Sequence, residues 1–210
     1  MSRYQITLPA MFLLALSMPV FAQETTTGDA AETTGEATTG TVSEIEQELS
    51  MGENVDGSPQ VGQPYTAETI GAWELRCIKT DEESDPCQLY QLLEDDNGSS
   101  VAEFSMFRLP EGGQAIAGAT VIVPLETALA PQLTISVDGA PGKRYPYAFC
   151  NSVGCYARIG LTQEEIDAFK HGNEAAMTIV PALAPDQKVV VMLSLDGFTA
   201  TYEKVSVLEP

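Results

Sequence analysis

From Trp73 onward apolar and polar positions alternate in short runs, and the alternation predicts strands. Trp73, Leu75 and Cys77 alternate with Glu74 and Arg76. Leu133, Ile135 and Val137 alternate with Thr134 and Ser136, and the run stops at Asp138-Gly139. Further candidate strands cover Cys87 to Leu93, Val101 to Leu109, Ala115 to Val123, Tyr145 to Cys150, Cys155 to Ile159, Ala176 to Val180 and Val189 to Leu195. A last one is expected over Phe198 to Val207. Asp96-Asn97-Gly98, Glu111-Gly112-Gly113, Pro141-Gly142 and Asp196-Gly197 punctuate them as turns. Many short strands with such punctuation predict an all-β fold, a sandwich or a barrel-like closure.

One stretch has helical spacing instead. Thr162-Gln163-Glu164-Glu165 is a capping box, with Thr162 as N-cap and Glu165 three residues in. Leu161 and Ile166 fit the hydrophobic staple around it. Lys170 and His171 suit a last turn, and Gly172 a left-handed stop. The expectation is one short α-helix, Gln163 to Lys170, plugging an open end of the β structure.

The N-terminus obeys different rules. Arg3 precedes a mostly apolar run from Ile6 to Val20, and Val20-Phe21-Ala22 has the form of a small-residue cleavage site. Residues 1–22 therefore read as a signal peptide, with Pro9 and Pro19 breaking a run too short to span a bilayer. Residues 23–66 hold nine acidic residues, no Lys or Arg, and clusters such as Thr25-Thr26-Thr27. That composition predicts a disordered acidic Thr-rich leader, since its apolar mass does not offset ordering entropy. Val42, Ile45 and Leu49 share a helical face within it. Residues 67–210 are expected to form a single β-rich domain.

Composition narrows the function. A net charge of −20 excludes a general nucleic-acid binder, which must neutralise phosphates, and disfavours electrostatic docking on anionic lipid. Peripheral membrane association by other means stays open. The four cysteines of an exported chain read as disulfides. Of three possible pairings, Cys77 with Cys87 and Cys150 with Cys155 are favoured, because each closes a short turn-containing loop. Each would contribute roughly 2–3 kcal/mol. With one histidine and no C-x-x-C spacing, a zinc site has little support.

Catalytic patterns fare no better. The single histidine, His171, sits where a solvent-exposed helix terminus is expected. There is no G-x-S-x-G, no phosphate loop and no dinucleotide fingerprint. Asp81, Glu82, Glu83 and Asp85 lack the spacing of a calcium loop and read as a solvated acidic loop. Asn97-Gly98-Ser99 matches an N-glycosylation pattern, but Asn-Gly is first a hairpin turn. The expectation is a non-enzyme without catalytic residues, metal or cofactor. The candidate binding residues are Lys143, Arg144, Tyr145, Tyr147, Tyr156 and Arg158, basic and aromatic side chains around the second cysteine pair. The bland alternative is that the aromatics fill the core and the cations offset nearby acids.

The order of several short motifs resembles the invasion-associated locus B family of exported bacterial proteins. They are Trp73-x-x-x-Cys77 with Cys87-x-x-x-Gln91 behind it, the strand Leu133 to Asp138, and Cys150-Asn151-Ser152-Val153-Gly154-Cys155. Lys170-His171-Gly172 and Ser194-Leu195-Asp196-Gly197-Phe198-Thr199-x-Thr201 follow. The likeness spans about Thr69 to Val207. It implies a β-sandwich-like domain, periplasmic, outer-membrane-associated or secreted, without known catalysis, and in pathogens linked to host-cell entry. The family supplies no catalytic residues, and its four cysteines match Cys77, Cys87, Cys150 and Cys155. The function expected is binding or interaction, with an envelope or host protein or an anionic polymer as partner. An envelope hydrolase or inhibitor with a loop-built site is the alternative.

Overall fold

The computed structural model describes residue 52 and residues 55–208. The expected signal peptide, most of the expected leader, and the helical face expected for Val42, Ile45 and Leu49 lie outside the described residues.

Among the described residues eleven strands form two antiparallel sheets. The larger contains, in spatial order, β1 (Pro64–Ile70), β2 (Trp73–Ile78), β3 (Cys87–Glu94), β4 (Ser100–Arg108), β5 (Ala117–Val123), β9 (Cys155–Leu161) and β8 (Tyr147–Cys150). The smaller runs β11 (Val189–Ser194), β10 (Glu174–Ile179), β6 (Leu133–Val137) and β7 (Lys143–Tyr145). The expected alternation is what buries the core. Trp73, Leu75 and Cys77 on β2, and Ala102, Phe104 and Met106 on β4, point inward from the large sheet. Leu133 and Ile135, Ala175 and Met177, and Val191 and Leu193 face them from the small sheet in one hydrophobic cluster. The architecture is a β-sandwich, as expected.

The sheet begins earlier than the sequence suggested. Residues 64–66, assigned to the leader, are the start of β1, where Pro64 pairs with Ile78 and Tyr65 with Cys77. Backbone pairing and the Tyr65 hydroxyl bond to Asp85 hold this polar stretch in the sheet, without a buried apolar run to announce it.

The helix α1 (Gln163–His171) forms one residue longer than expected, with the full capping box. The Thr162 side chain accepts from the Glu165 N–H, and the Glu165 carboxylate accepts from the Thr162 N–H at 2.9 Å. α1 links β9 of the large sheet to β10 of the small one, and buries Ile166 and Phe169. Its stop differs: Gly172 is extended (φ −80°), not left-handed. Gly172 is required for closeness, since a Cβ there would lie 2.7 Å from Val137 and 2.9 Å from Leu195.

The expected last strand is corrected. Residues Phe198–Tyr202 form a second short helix, α2. Gly197 supplies a left-handed residue (φ 82°) that turns the chain, and Phe198, Thr201 and Tyr202 then fall on one buried helical face. Phe198 packs edge-on against Trp73 and Phe169, with centroids 5.5 and 5.4 Å away. β-branched and aromatic residues gave this stretch a strand signal, and packing overrode it. Only the far end keeps strand-like pairing, where Val207 bridges Arg108.

The run Tyr145 to Cys150 also divides. Pro146, which has no N–H to donate, separates β7 in the small sheet from β8 in the large one. The chain thus switches sheets at one corner.

Candidate functional site: the outer face of the large sheet

Along β2, β4, β5 and β9 alternate residues are buried in the core and turned outward. Cross-strand pairs Arg76–Gln88, Glu74–Tyr90, Tyr90–Ser105, Phe107–Gly118 and Ile122–Tyr156 all lie on the face turned away from the core. Over this face lies a groove of about 730 Å³. Arg76, Gln88, Tyr90, Glu103, Ser105, Phe107 and Ile122 line it, with the loop after β2 and residues 206–208 around it.

Two rings shape the groove. The Arg76 guanidinium stands 3.2 Å from the centroid of the Tyr90 ring, and its Nε donates to Glu74 at 2.9 Å. Burial raises the Tyr90 hydroxyl above its ordinary pKa, and the Glu103 charge adds to this while Arg76 opposes it. Phe107 lies over Gly118: a Cβ on that glycine would sit 2.6 Å from the ring. Gly118 therefore opens a seat for an aromatic side chain on the outward face.

The wall is a braced loop. The Asp85 carboxylate accepts from the Tyr65 hydroxyl at 2.7 Å, from the Thr80 N–H at 2.8 Å and from Lys79 Nζ at 3.2 Å. The Tyr65 bond first, then the Thr80 N–H, hold this carboxyl well below the usual carboxylate range. Cys77 and Cys87 are disulfide-bonded across directly paired positions of β2 and β3, as expected. On the far side, Ser206 accepts from the Cys87 N–H at 2.9 Å, and the Arg108 N–H donates to the Ser206 carbonyl at 3.2 Å. Residues 206–208 thus occupy the gap where β3 and β4 part. The expected solvated acidic loop is accordingly divided, since Asp85 turns inward while Asp81, Glu82 and Glu83 stay exposed. Among the described residues no cluster of three or more His, Cys, Asp or Glu is placed to hold a metal.

The six expected binding residues do not share one surface. Tyr156 and Arg158 lie on the outer face of the large sheet, where Tyr156 pairs with Ile122 of the groove floor. Phe149 joins them: its ring stacks on Tyr156 at 4.6 Å, and Arg158 stands 5.2 Å from its centroid. The Cys150–Cys155 disulfide, also as expected, clamps the hairpin that presents this cluster. Arg144 projects from the outer face of the small sheet beside Thr134. Lys143 and Tyr145 are engaged by α1, with Lys143 Nζ at 2.9 Å and the Tyr145 hydroxyl at 2.8 Å from Glu165 Oε1. Burial would raise the Glu165 carboxyl, but Lys143, Thr162 and Tyr145 hold it down at about 2. Tyr147 faces the core opposite Ala157, and burial pushes its hydroxyl up to about 12.

His171 ends α1, exposed, with Nδ1 2.7 Å from the Asp167 carbonyl of its own helix. Asn97-Gly98 is the β3–β4 hairpin turn, closed by the Gly98 N–H on the Asp95 carbonyl at 2.9 Å. The groove itself escaped sequence reasoning. Its signal was that Tyr90 and Phe107 occupy the polar parity of their strands, which is legible only once the register is known.

Similarity to known proteins agrees with the fold. Two invasion protein B homologues of Brucella abortus, from strain 2308 and from biovar 1 strain 9-941, are each 23% identical over 147 residues, covering 70% of this chain and 83% of theirs. The crystal structure of invasion associated protein B from Bartonella henselae superposes with a TM-score of 0.56 at 19% identity, covering 65% of this chain and 92% of that one. The family model for the invasion associated locus B (IalB) protein matches residues 73–206, so the chain belongs to that family.

Proposed function

We propose that this chain is an exported, non-enzymatic envelope protein that acts by binding, in envelope maintenance or host contact. The observation that carries the reading is the groove: about 730 Å³, lined by aromatic rings and a few polar groups, on a rigid sheet. Two disulfides suit an oxidising compartment, periplasmic, outer-membrane-associated or extracellular. The signal-peptide pattern of residues 1–22 supports the same route. The partner is an envelope or host protein, or an anionic polymer reached through Arg158 and Arg76.

The test is capture from envelope extract by immobilised protein, comparing the unaltered chain with Tyr90→Ala and Phe107→Ala. Loss of one specific partner in both variants, with unchanged thermal midpoints, supports the reading. Turnover of peptide or glycan substrates by the purified chain would replace it with the hydrolase alternative.

A further inference from the structure

A sandwich has four sheet edges, and here three are blunted. β1 carries Pro64 and Glu68, and its register breaks between Thr66 and Glu68. β7 has three residues, two of them Lys143 and Arg144. β8 has four residues, follows Pro146, and breaks register between Tyr147 and Phe149. Such features discourage pairing with another chain.

β11 has none of them. It pairs with β10 over six consecutive residues without a bulge, and contains no charge and no proline. Its backbone direction is fixed by Gln91. The Ser194 N–H donates to Gln91 Oε1 at 2.8 Å, and Gln91 Nε2 donates to the Ser194 carbonyl at 3.0 Å. Ser194 therefore turns both groups away from β10, and by the two-residue period so do Met192 and Val190. Among the described residues nothing pairs with those groups. Their side chains are also open, Val190 52% and Met192 42% exposed. Gln91 occupies the place of an incoming strand at Ser194 and so marks where pairing must stop.

The surroundings select the visitor. Among the described residues Glu174, Asp186 and Asp196 are exposed and make no ion pair, with Lys188 close by in the chain and Lys170 lining the same hollow as Asp196. The whole chain carries −20, so a second copy brings repulsion to the same edge. We propose that β11 is a docking edge for an extended segment of a partner protein, with alternating apolar residues flanked by Lys or Arg. Main-chain bonds to Val190 and Met192 supply affinity, and the acidic surroundings favour the basic flanks. This surface is separate from the groove and its failure leaves the groove reading untouched.

The test uses the full chain and a fluorescent peptide of alternating Val and Thr with Lys at both ends, read by anisotropy. Val190→Pro removes the outward N–H without breaking a bond to β10. It is expected to weaken binding at least about tenfold, the scale of losing main-chain bonds. Raising the salt should weaken it further. A peptide N-methylated along its pairing side tests the same edge on the unaltered protein, and should not bind. Equal binding by Val190→Pro, or by the N-methylated peptide, overturns the proposal. So does a dimer of the chain that Val190→Pro disperses, since the occupant is then a second copy.

Discussion

The Tyr145 hydroxyl donates to the Glu165 carboxylate across 2.8 Å, tying the edge strand of the small sheet to the first turn of α1. The same carboxylate accepts from Lys143 and from the Thr162 N–H, so one side chain closes a helix cap and a sheet contact together.

Glu165→Ala is expected to cost about 2 kcal/mol, because cap and sheet bonds are lost together. The acid dependence follows from the same group. Its folded value, about 2, lies below its ordinary 4.5, so its stabilisation is present above pH 4.5 and is lost as pH falls towards 2. Urea titrations across that window should show a shallower acid loss in Glu165→Gln. An unchanged slope would place the acid sensitivity elsewhere.

Tyr147 presents the opposite case, a buried hydroxyl with no hydrogen-bond partner among the described residues. Tyr147→Phe removes the unsatisfied group and keeps the ring, so stability should hold or rise by up to about 1 kcal/mol. Because its hydroxyl is pushed up to about 12, the unfolded chain ionises first as pH rises above 10. The unaltered protein therefore loses stability between pH 10 and 12, and the variant should lose less. Thermal melts at both ends of that range decide it.

The two disulfides should separate in their effects. Replacing Cys150 and Cys155 by Ser opens a short hairpin and should cost roughly 2 kcal/mol. It should also loosen the Phe149–Tyr156 stack, visible as aromatic resonance broadening. Replacing Cys77 and Cys87 opens a longer loop, roughly 3 kcal/mol, and should reduce capture through the groove whose wall they hold. Non-reducing peptide mapping should return these two pairs and no cross-link between them.

Glycines should rank by space as well as by conformation. Gly197 and Gly112 both have positive φ, 82° and 105°. A Cβ on Gly197 would lie 2.2 Å from the Ile70 carbonyl oxygen, whereas Gly112 faces open space. Gly112→Ala should cost about 1–2 kcal/mol from strain alone. Gly197→Ala should cost clearly more, since Ile70 or α2 must move. Equal losses in denaturant melts would refute the packing argument.

Elements with local causes are legible in the chain alone. Period-two alternation marked β2 and β6, the Thr162-to-Glu165 box marked α1, and loop closure paired each cysteine with its near neighbour. These depend on residues close together along the chain. Tertiary structure decided the rest. The strand signal of Phe198 to Tyr202 lost to a buried helical face against Trp73, which lies far away in sequence. The basic and aromatic cluster around Tyr145 looked continuous in the chain. Pro146 sends its two halves to different sheets, and Glu165 draws Lys143 and Tyr145 to α1. The groove needed the register of β2 to β5, because one residue of slip would turn Tyr90 and Phe107 from the outer face into the core. Register is set by which strands meet across the sheet, a non-local property that no stretch of the chain carries alone.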